Sequence, residues 1–192
     1  AVVLSLHHHY GVRTVLGFLY GYEGLNPAFG HEPLLLTPDM VESISTQGGT
    51  VLGTSRGEQP VPIMVDELER QGIGILFTVG GDGTLRGARA IAEEVARRGL
   101  EIAVVGIPKT IDNDISYIFQ SFGFQTAASE AQAAVEAAHT EAVAARNGIG
   151  LVKLMGRDSG FIAAYTALAD SRVNYCLVPE VPFSLEALVP SL

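Results

Sequence analysis

The sequence contains no tryptophan, a single cysteine, and only 12 lysines and arginines against 21 aspartates and glutamates. One cysteine excludes an internal disulfide framework and fits a reducing compartment. Cys176 falls in the apolar stretch Tyr175–Val178, which reads as a strand, so an inert core thiol is expected. The acid excess gives a formal net charge of −9 and leaves no basic face to follow a nucleic-acid backbone. It does not exclude a small phosphorylated ligand, which needs only a few local cations and backbone N–H groups. Long apolar runs are also missing. "ILFTV" and "IAVVGI" fall far short of the roughly 20 residues of a membrane span. The opening "AVVLSLHHHY" lacks a basic region, an initiator methionine and a long enough apolar run for a signal peptide. It reads as the tail of a helix already under way, in a chain that begins inside a larger, cytoplasmic protein. Consecutive residues on a helix point in different directions, so His7, His8 and His9 cannot converge on one metal.

What the chain does have is 47% hydrophobic residues, enough for a real core, and a regular alternation of apolar and helical patterns. Strands are expected at Val12–Gly21, Ile73–Val79, Ile102–Ile107, Gly150–Leu154 and Tyr175–Val178. Helices are expected from Thr37 to about Gln47, and over Pro62–Gln71, Leu85–Arg98, Phe122–Arg146 and Gly160–Ser171. Strands apolar on both faces, alternating with helices, predict a three-layer α/β fold with a mostly parallel sheet. Ligands of such sheets bind just past the carboxyl ends of the strands, and three unusual stretches fall there.

The first is Gly80-Gly81-Asp82-Gly83-Thr84. Glycines allow a tight turn and close approach of a ligand, and the N–H groups of the helix that follows attract anions. An aspartate there would repel phosphate unless a cation lies between them, so Asp82 reads as a Mg²⁺ contact. The bland alternative is an ordinary helix cap. The second, Pro108-Lys109-Thr110-Ile111-Asp112-Asn113-Asp114, offers a base for a hydroxyl attacking phosphorus, or else a polar turn. The third, Met155-Gly156-Arg157-Asp158-Ser159-Gly160, offers an arginine for a phosphate, or else another cap.

In their order and spacing, "GGDGTLRGA", "PKTIDNDI", "MGRDSGFIA" and "VPEVPF" resemble the 6-phosphofructokinases. "YGYEGL" (Tyr20–Leu25) and "GGTVLGTSR" (Gly48–Arg56) extend the likeness over essentially the whole chain. The resemblance implies transfer of the γ-phosphoryl group of Mg-ATP to the 1-hydroxyl of fructose 6-phosphate, in a homodimer or homotetramer. It implies that Asp82 is the magnesium-associated aspartate, with Gly81, Gly83 and Thr84 around the nucleotide phosphates and Arg56 reaching them. Asp112 matches the catalytic base, flanked by Thr110, Ile111 and Asp114. Met155, Gly156 and Arg157 match the substrate-binding turn, and Glu180 a sugar contact.

Within that family, glycine after the GGD goes with ATP and a second aspartate with pyrophosphate, so Gly83 favours ATP. Lys109 pulls towards pyrophosphate. The combination resembles the ATP-dependent branch of plants, trypanosomatids and some bacteria, as does "NGIGLVKLMGRDSGFIA", where Gly148 replaces an arginine donated by a neighbouring subunit in other bacterial enzymes. The likeness implies a nucleotide-binding domain over residues 1–146, lacking its first strand and glycine-rich loop, and an incomplete sugar-phosphate part over 147–192. A piece lacking that strand is expected to be inactive alone. A pyrophosphate-dependent sibling, an NAD or lipid kinase sharing "GGDGT", and a non-catalytic nucleotide-binding fragment or paralogue remain open at this level.

Overall fold

The computed structural model describes residues 1–191. Internal contacts divide the chain into two compact units: Ala1–Phe77 with Arg86–Val105, and Thr78–Leu85 with the chain from Gly106 onwards.

The first unit opens on α1 (Val2–Tyr10), closed by Gly11 in the left-handed region at φ 67°. β1 (Leu16–Gly17) pairs antiparallel with β2 (Leu34–Leu35), Leu16 opposite Leu35. The strand expected over Val12–Gly21 is thus cut to two residues. Tyr20 turns left-handed (φ 56°) and the chain winds into a 3₁₀ helix, Gly21–Leu25. α2 (Pro38–Val41) starts where Thr37 and Pro38 predict, with the Thr37 hydroxyl accepting the Met40 N–H at 3.4 Å. It does not run on to Gln47. The Thr46 hydroxyl donates to the Ser43 carbonyl at 2.9 Å, a local bond of the kind that competes with helix continuation, and only a 3₁₀ turn, Ile44–Thr46, follows.

α3 (Val61–Arg70) carries a proline in its first turn and buries Met64, Val65 and Leu68 on one face. These residues meet Leu25, Leu76 from β3 (Ile75–Gly80), and Ile91 and Val95 from α4 (Asp82–Arg98) in one apolar cluster. Gly87 lets α4 come close to Tyr22, since a Cβ there would stand 2.5 Å from the Tyr22 ring.

In the second unit, the end of β4 (Ala103–Thr110) pairs in parallel with β5 (Phe122–Gly123), Lys109 opposite Phe122 and Thr110 opposite Gly123. The sheet order is β3-β4-β5. Gly123, at φ 99°, turns the chain directly into α5 (Phe124–Ala144). α6 (Phe161–Ala169) packs along α5. The Phe124 ring meets Tyr165 edge-on at 4.9 Å and Phe161 at 6.2 Å, over a small core of Phe124, Ala131 and Ile162. α7 (Leu185–Leu188) ends the unit's α-helices.

The fold is therefore α/β with parallel pairing, as the alternation predicts. Two expected strands are not strands: Gly150–Leu154 and Tyr175–Val178 belong to neither sheet among the described residues. Leu151 is 87% exposed, and of the first stretch Leu154 packs on the Phe124 core. Cys176 is likewise exposed and outside any strand, so the expectation of a core thiol does not hold.

Candidate active site

The turn between β3 and α4 is shaped by its glycines. A Cβ on Gly80 would overlap the Thr84 side chain, which folds back over the strand end. A Cβ on Gly81 would rest 3.7 Å from the Thr110 Cβ and 3.9 Å from the Lys109 carbonyl oxygen, so this turn lies against the end of β4. A Cβ on Gly83 would meet nothing within 4 Å. Asp82 is the first residue of α4 and is exposed. Together the turn offers open space, backbone N–H groups of a first helical turn and one carboxylate, the inventory of an anion site that also takes a cation.

Beyond β4 the chain is pinned residue by residue. The Thr110 hydroxyl accepts the Asp112 N–H at 3.1 Å, and the Asp112 carbonyl accepts the Ser159 hydroxyl at 2.5 Å. Asn113 is buried and left-handed at φ 54°, a conformation asparagine tolerates better than most residues. Its amide oxygen accepts the Ser121 N–H at 2.8 Å and the Ser121 hydroxyl lies 3.1 Å away. Ile111 points the other way, packing on the Phe124 cluster, so only its backbone faces the turn. The side chains of Lys109, Asp112 and Asp114 make no hydrogen bond or ion pair with a described residue.

The third stretch joins the second through Ser159. Gly156 holds φ at 122°, and a Cβ there would overlap the Ser159 carbonyl, so only glycine makes this bend. Arg157 and Met155 are exposed, Met155 at the edge of a groove of about 300 Å³ lined also by Leu154, Gly156, Ser159, Gly160 and Pro179. The Gly160 N–H donates to the Glu180 carboxylate at 2.8 Å, which sets a negative charge at the start of α6. Two hydrogen bonds, Ser159 to Asp112 and Gly160 to Glu180, join the later stretches, and the Gly81 turn lies close enough to Thr110 that an added Cβ would touch it.

Arg56 belongs to the first unit and is exposed. Its loop is held on the Tyr20 turn. The Ser55 hydroxyl donates to the Tyr20 carbonyl at 2.5 Å, the Tyr20 N–H donates to the Leu52 carbonyl at 2.8 Å, and Gly53 (φ 70°) lies under the Tyr20 ring.

Two participants escaped the sequence reading. Ser121 is an unremarked serine in a polar stretch, and nothing local marks it as Asn113's partner. Ser159 was visible only as one residue of a motif, while its bond spans 47 positions.

A sequence model of the family described as phosphofructokinase matches residues 1–192, the entire chain. The chain belongs to the phosphofructokinase family. It is 54% identical over 187 residues to the ATP-dependent 6-phosphofructokinase of Borreliella burgdorferi, covering 97% of this chain and 42% of that protein. It is also 54% identical to the enzyme of the same name from Trypanosoma cruzi, over 96% of this chain and 38% of that one. To ATP-dependent 6-phosphofructokinase 7 of Arabidopsis thaliana it is 52% identical, again over 96% and 38%. The chain thus spans about two fifths of the length of these curated relatives. The fold agrees with that of solved phosphofructokinases. A pyrophosphate-dependent phosphofructokinase from Nitrosospira multiformis superposes with a TM-score of 0.81 at 19% identity, over 98% of this chain and 50% of that one. One from Marinobacter aquaeolei gives 0.78 at 22%, with the same coverage. Among the described residues no helix is long and apolar enough to cross a membrane.

Proposed function

We propose that this phosphofructokinase chain serves transfer of the ATP γ-phosphoryl group to the 1-hydroxyl of fructose 6-phosphate, giving fructose 1,6-bisphosphate and ADP. The observation that supports the proposal is the nearness of the Gly81 turn to Thr110 together with the hydrogen bonds Ser159–Asp112 and Gly160–Glu180, all within one unit; in this reading they bring a phosphate turn, a carboxylate base and a sugar-side carboxylate together. Relatives at 50–54% identity are named as ATP-dependent, which supports ATP as the donor.

In this reading the α4 N-terminus and the N–H groups of Gly81, Gly83 and Thr84 receive the nucleotide phosphates. Asp112 accepts the proton of the sugar 1-hydroxyl as that oxygen bonds to the γ-phosphorus. The bond from phosphorus to the β,γ-bridging oxygen breaks and ADP leaves with the electron pair. Arg157 balances charge on the moving phosphoryl group, Thr110 and Asp114 border it, and Met155, Gly156 and Glu180 hold the sugar.

The residues fit Mg²⁺ of the kind that travels with a nucleotide. No cluster of three or more His, Cys, Asp or Glu among the described residues could cage a metal, and Asp82 offers one exposed carboxylate beside open space. That suits an ion held mainly by phosphate oxygens and water. When bound, Mg²⁺ supplies charge neutralisation at the β- and γ-phosphates.

Residues 1–146 would act as the nucleotide part and 147–192 as the start of the sugar-phosphate part, within a cytoplasmic homo-oligomer. Asp112→Asn tests the central role. It should lower kcat by about 10² to 10⁴-fold with KM for ATP little changed. An unchanged kcat would remove Asp112 from the mechanism.

A further inference from the structure

Asp112 is held by its backbone, through Thr110 and Ser159, and the residue after it is anchored separately. Asn113 is 7% exposed and Ser121 2%. The Asn113 amide oxygen takes the Ser121 N–H at 2.8 Å, and its amide nitrogen donates to the Phe119 carbonyl at 3.3 Å. The Ser121 hydroxyl lies 2.7 Å from the Thr110 carbonyl and 3.1 Å from the Asn113 amide oxygen. The Asn113 side chain therefore closes the loop 113–121, and the Ser121 hydroxyl ties it to the last residue of β4. Within the loop the Ile118 N–H also donates to the Ile115 carbonyl at 3.2 Å, while Tyr117 is fully exposed and Phe119 90% exposed. Ser121 in turn immediately precedes β5, whose pairing with Lys109 and Thr110 fixes the loop's far end.

A buried amide beside a conspicuously unpartnered carboxylate calls for explanation. The amide makes three contacts with the loop's far side, whereas the Asp112 and Asp114 side chains make none with described residues. The left-handed φ at Asn113 places a sharp reversal between these two carboxylates. We propose that Asn113 is a positioning residue. Its amide clamps the 110–114 turn to Ser121 so that the Asp112 carboxylate is presented in one orientation to the acceptor hydroxyl. The inference rests on the phosphoryl-transfer reading above for its kinetic arm, but not for its structural one.

The test compares Asn113→Gly, Asn113→Ala and Ser121→Ala with the wild type, in the full polypeptide that carries this sequence. Asn113→Gly keeps the left-handed backbone and deletes the amide; Asn113→Ala deletes the amide and strains the backbone as well. Hydrogen exchange read by mass spectrometry should show peptides covering residues 108–122 exchanging about tenfold or more faster in Asn113→Gly, with the rest of the chain unchanged. Steady-state kinetics should show kcat down by roughly 10 to 100-fold in both Asn113 variants, with KM for ATP within about threefold of wild type. Ser121→Ala, which keeps its N–H bond to Asn113, should show a smaller fall in kcat of the same kind, and decides the question if Asn113→Gly does not fold. A wild-type kcat in Asn113→Gly beside an impaired Asn113→Ala would mean that only the backbone conformation matters and would overturn the clamp. So would unchanged exchange. A wild type without turnover would overturn the phosphoryl-transfer reading, and the exchange arm would still decide the clamp.

Discussion

The hydroxyl of Ser159 donates a 2.5 Å hydrogen bond to the backbone carbonyl of Asp112, 47 residues earlier in the chain. This bond holds the proposed base against the turn that carries Arg157, and Ser159 is buried where it does so. Ser159→Ala leaves that carbonyl without the hydroxyl. The expected cost is about 1 kcal/mol of stability, read as a lower urea midpoint, and a fall in kcat of about tenfold as the Asp112 turn loosens. A lower midpoint with unchanged kcat would mean that the bond serves the fold alone.

Gly83 faces open space in the first turn of α4, where an added Cβ would meet no protein atom within 4 Å. Gly83→Asp should therefore fold normally, with a melting temperature close to that of wild type. The added carboxylate would repel an approaching polyphosphate and fill the space beside it. ATP-dependent turnover should fall by about 100-fold or more, since one misplaced charge at a phosphate site costs several kcal/mol at low local dielectric. Equal use of ATP by the variant would separate donor choice from this position.

Gly160 is surrounded. A Cβ there would stand 2.5 Å from Val178 and 2.7 Å from a Glu180 carboxylate oxygen. Gly160→Ala should push Glu180 off the Gly160 N–H, costing about 1–3 kcal/mol as an overpacked site. Because Glu180 is proposed to meet the sugar, KM for fructose 6-phosphate should rise while KM for ATP stays near its wild-type value. Equal changes in both constants would point to general unfolding.

Acid behaviour follows from α4. Glu94 accepts hydrogen bonds from Arg97 and Arg98, and these hold its carboxyl down at about 2, from an ordinary 4.5. Arg98 also bonds Asp66 at 2.5 Å and the Pro62 carbonyl at 3.1 Å, tying α4 to α3. A carboxyl depressed in the folded state stabilises it above the unfolded value, and the contribution disappears as pH falls from 4.5 through about 2. The melting temperature of Glu94→Gln should lie below that of wild type at pH 7 and converge with it across this window. Added salt should narrow the gap at pH 7 in part, because Arg97 is largely solvent-exposed. A gap that persisted at pH 2 would assign the effect to packing.

The sequence made the helices legible because each depends on its own neighbours. α3 was expected at Pro62–Gln71 and runs Val61–Arg70. α4 was expected from Leu85 and begins at Asp82, because Gly83 reads as a breaker yet sits in the first turn, where helix propensity weighs least. Strands depend on a partner. Ile75–Gly80 and Ala103–Thr110 lie close to expectation, whereas Gly150–Leu154 and Tyr175–Val178 have the composition of strands without a ladder. The motifs of the site were readable singly, since glycines and carboxylates at strand ends carry their own chemistry. Their connections were not. Nothing near Asp112 announces Ser159, and nothing near Gly160 announces Glu180, because a hydrogen bond across 47 or 20 residues leaves no local pattern.

The most direct test is phosphoryl transfer to fructose 6-phosphate by the full polypeptide that carries this sequence, with Mg²⁺ present and ATP and pyrophosphate supplied in separate reactions. The account predicts fructose 1,6-bisphosphate and ADP with ATP, and no product with pyrophosphate. Product with pyrophosphate alone would show that Lys109 outweighs Gly83 in choosing the donor, and product with neither would contradict the proposed activity.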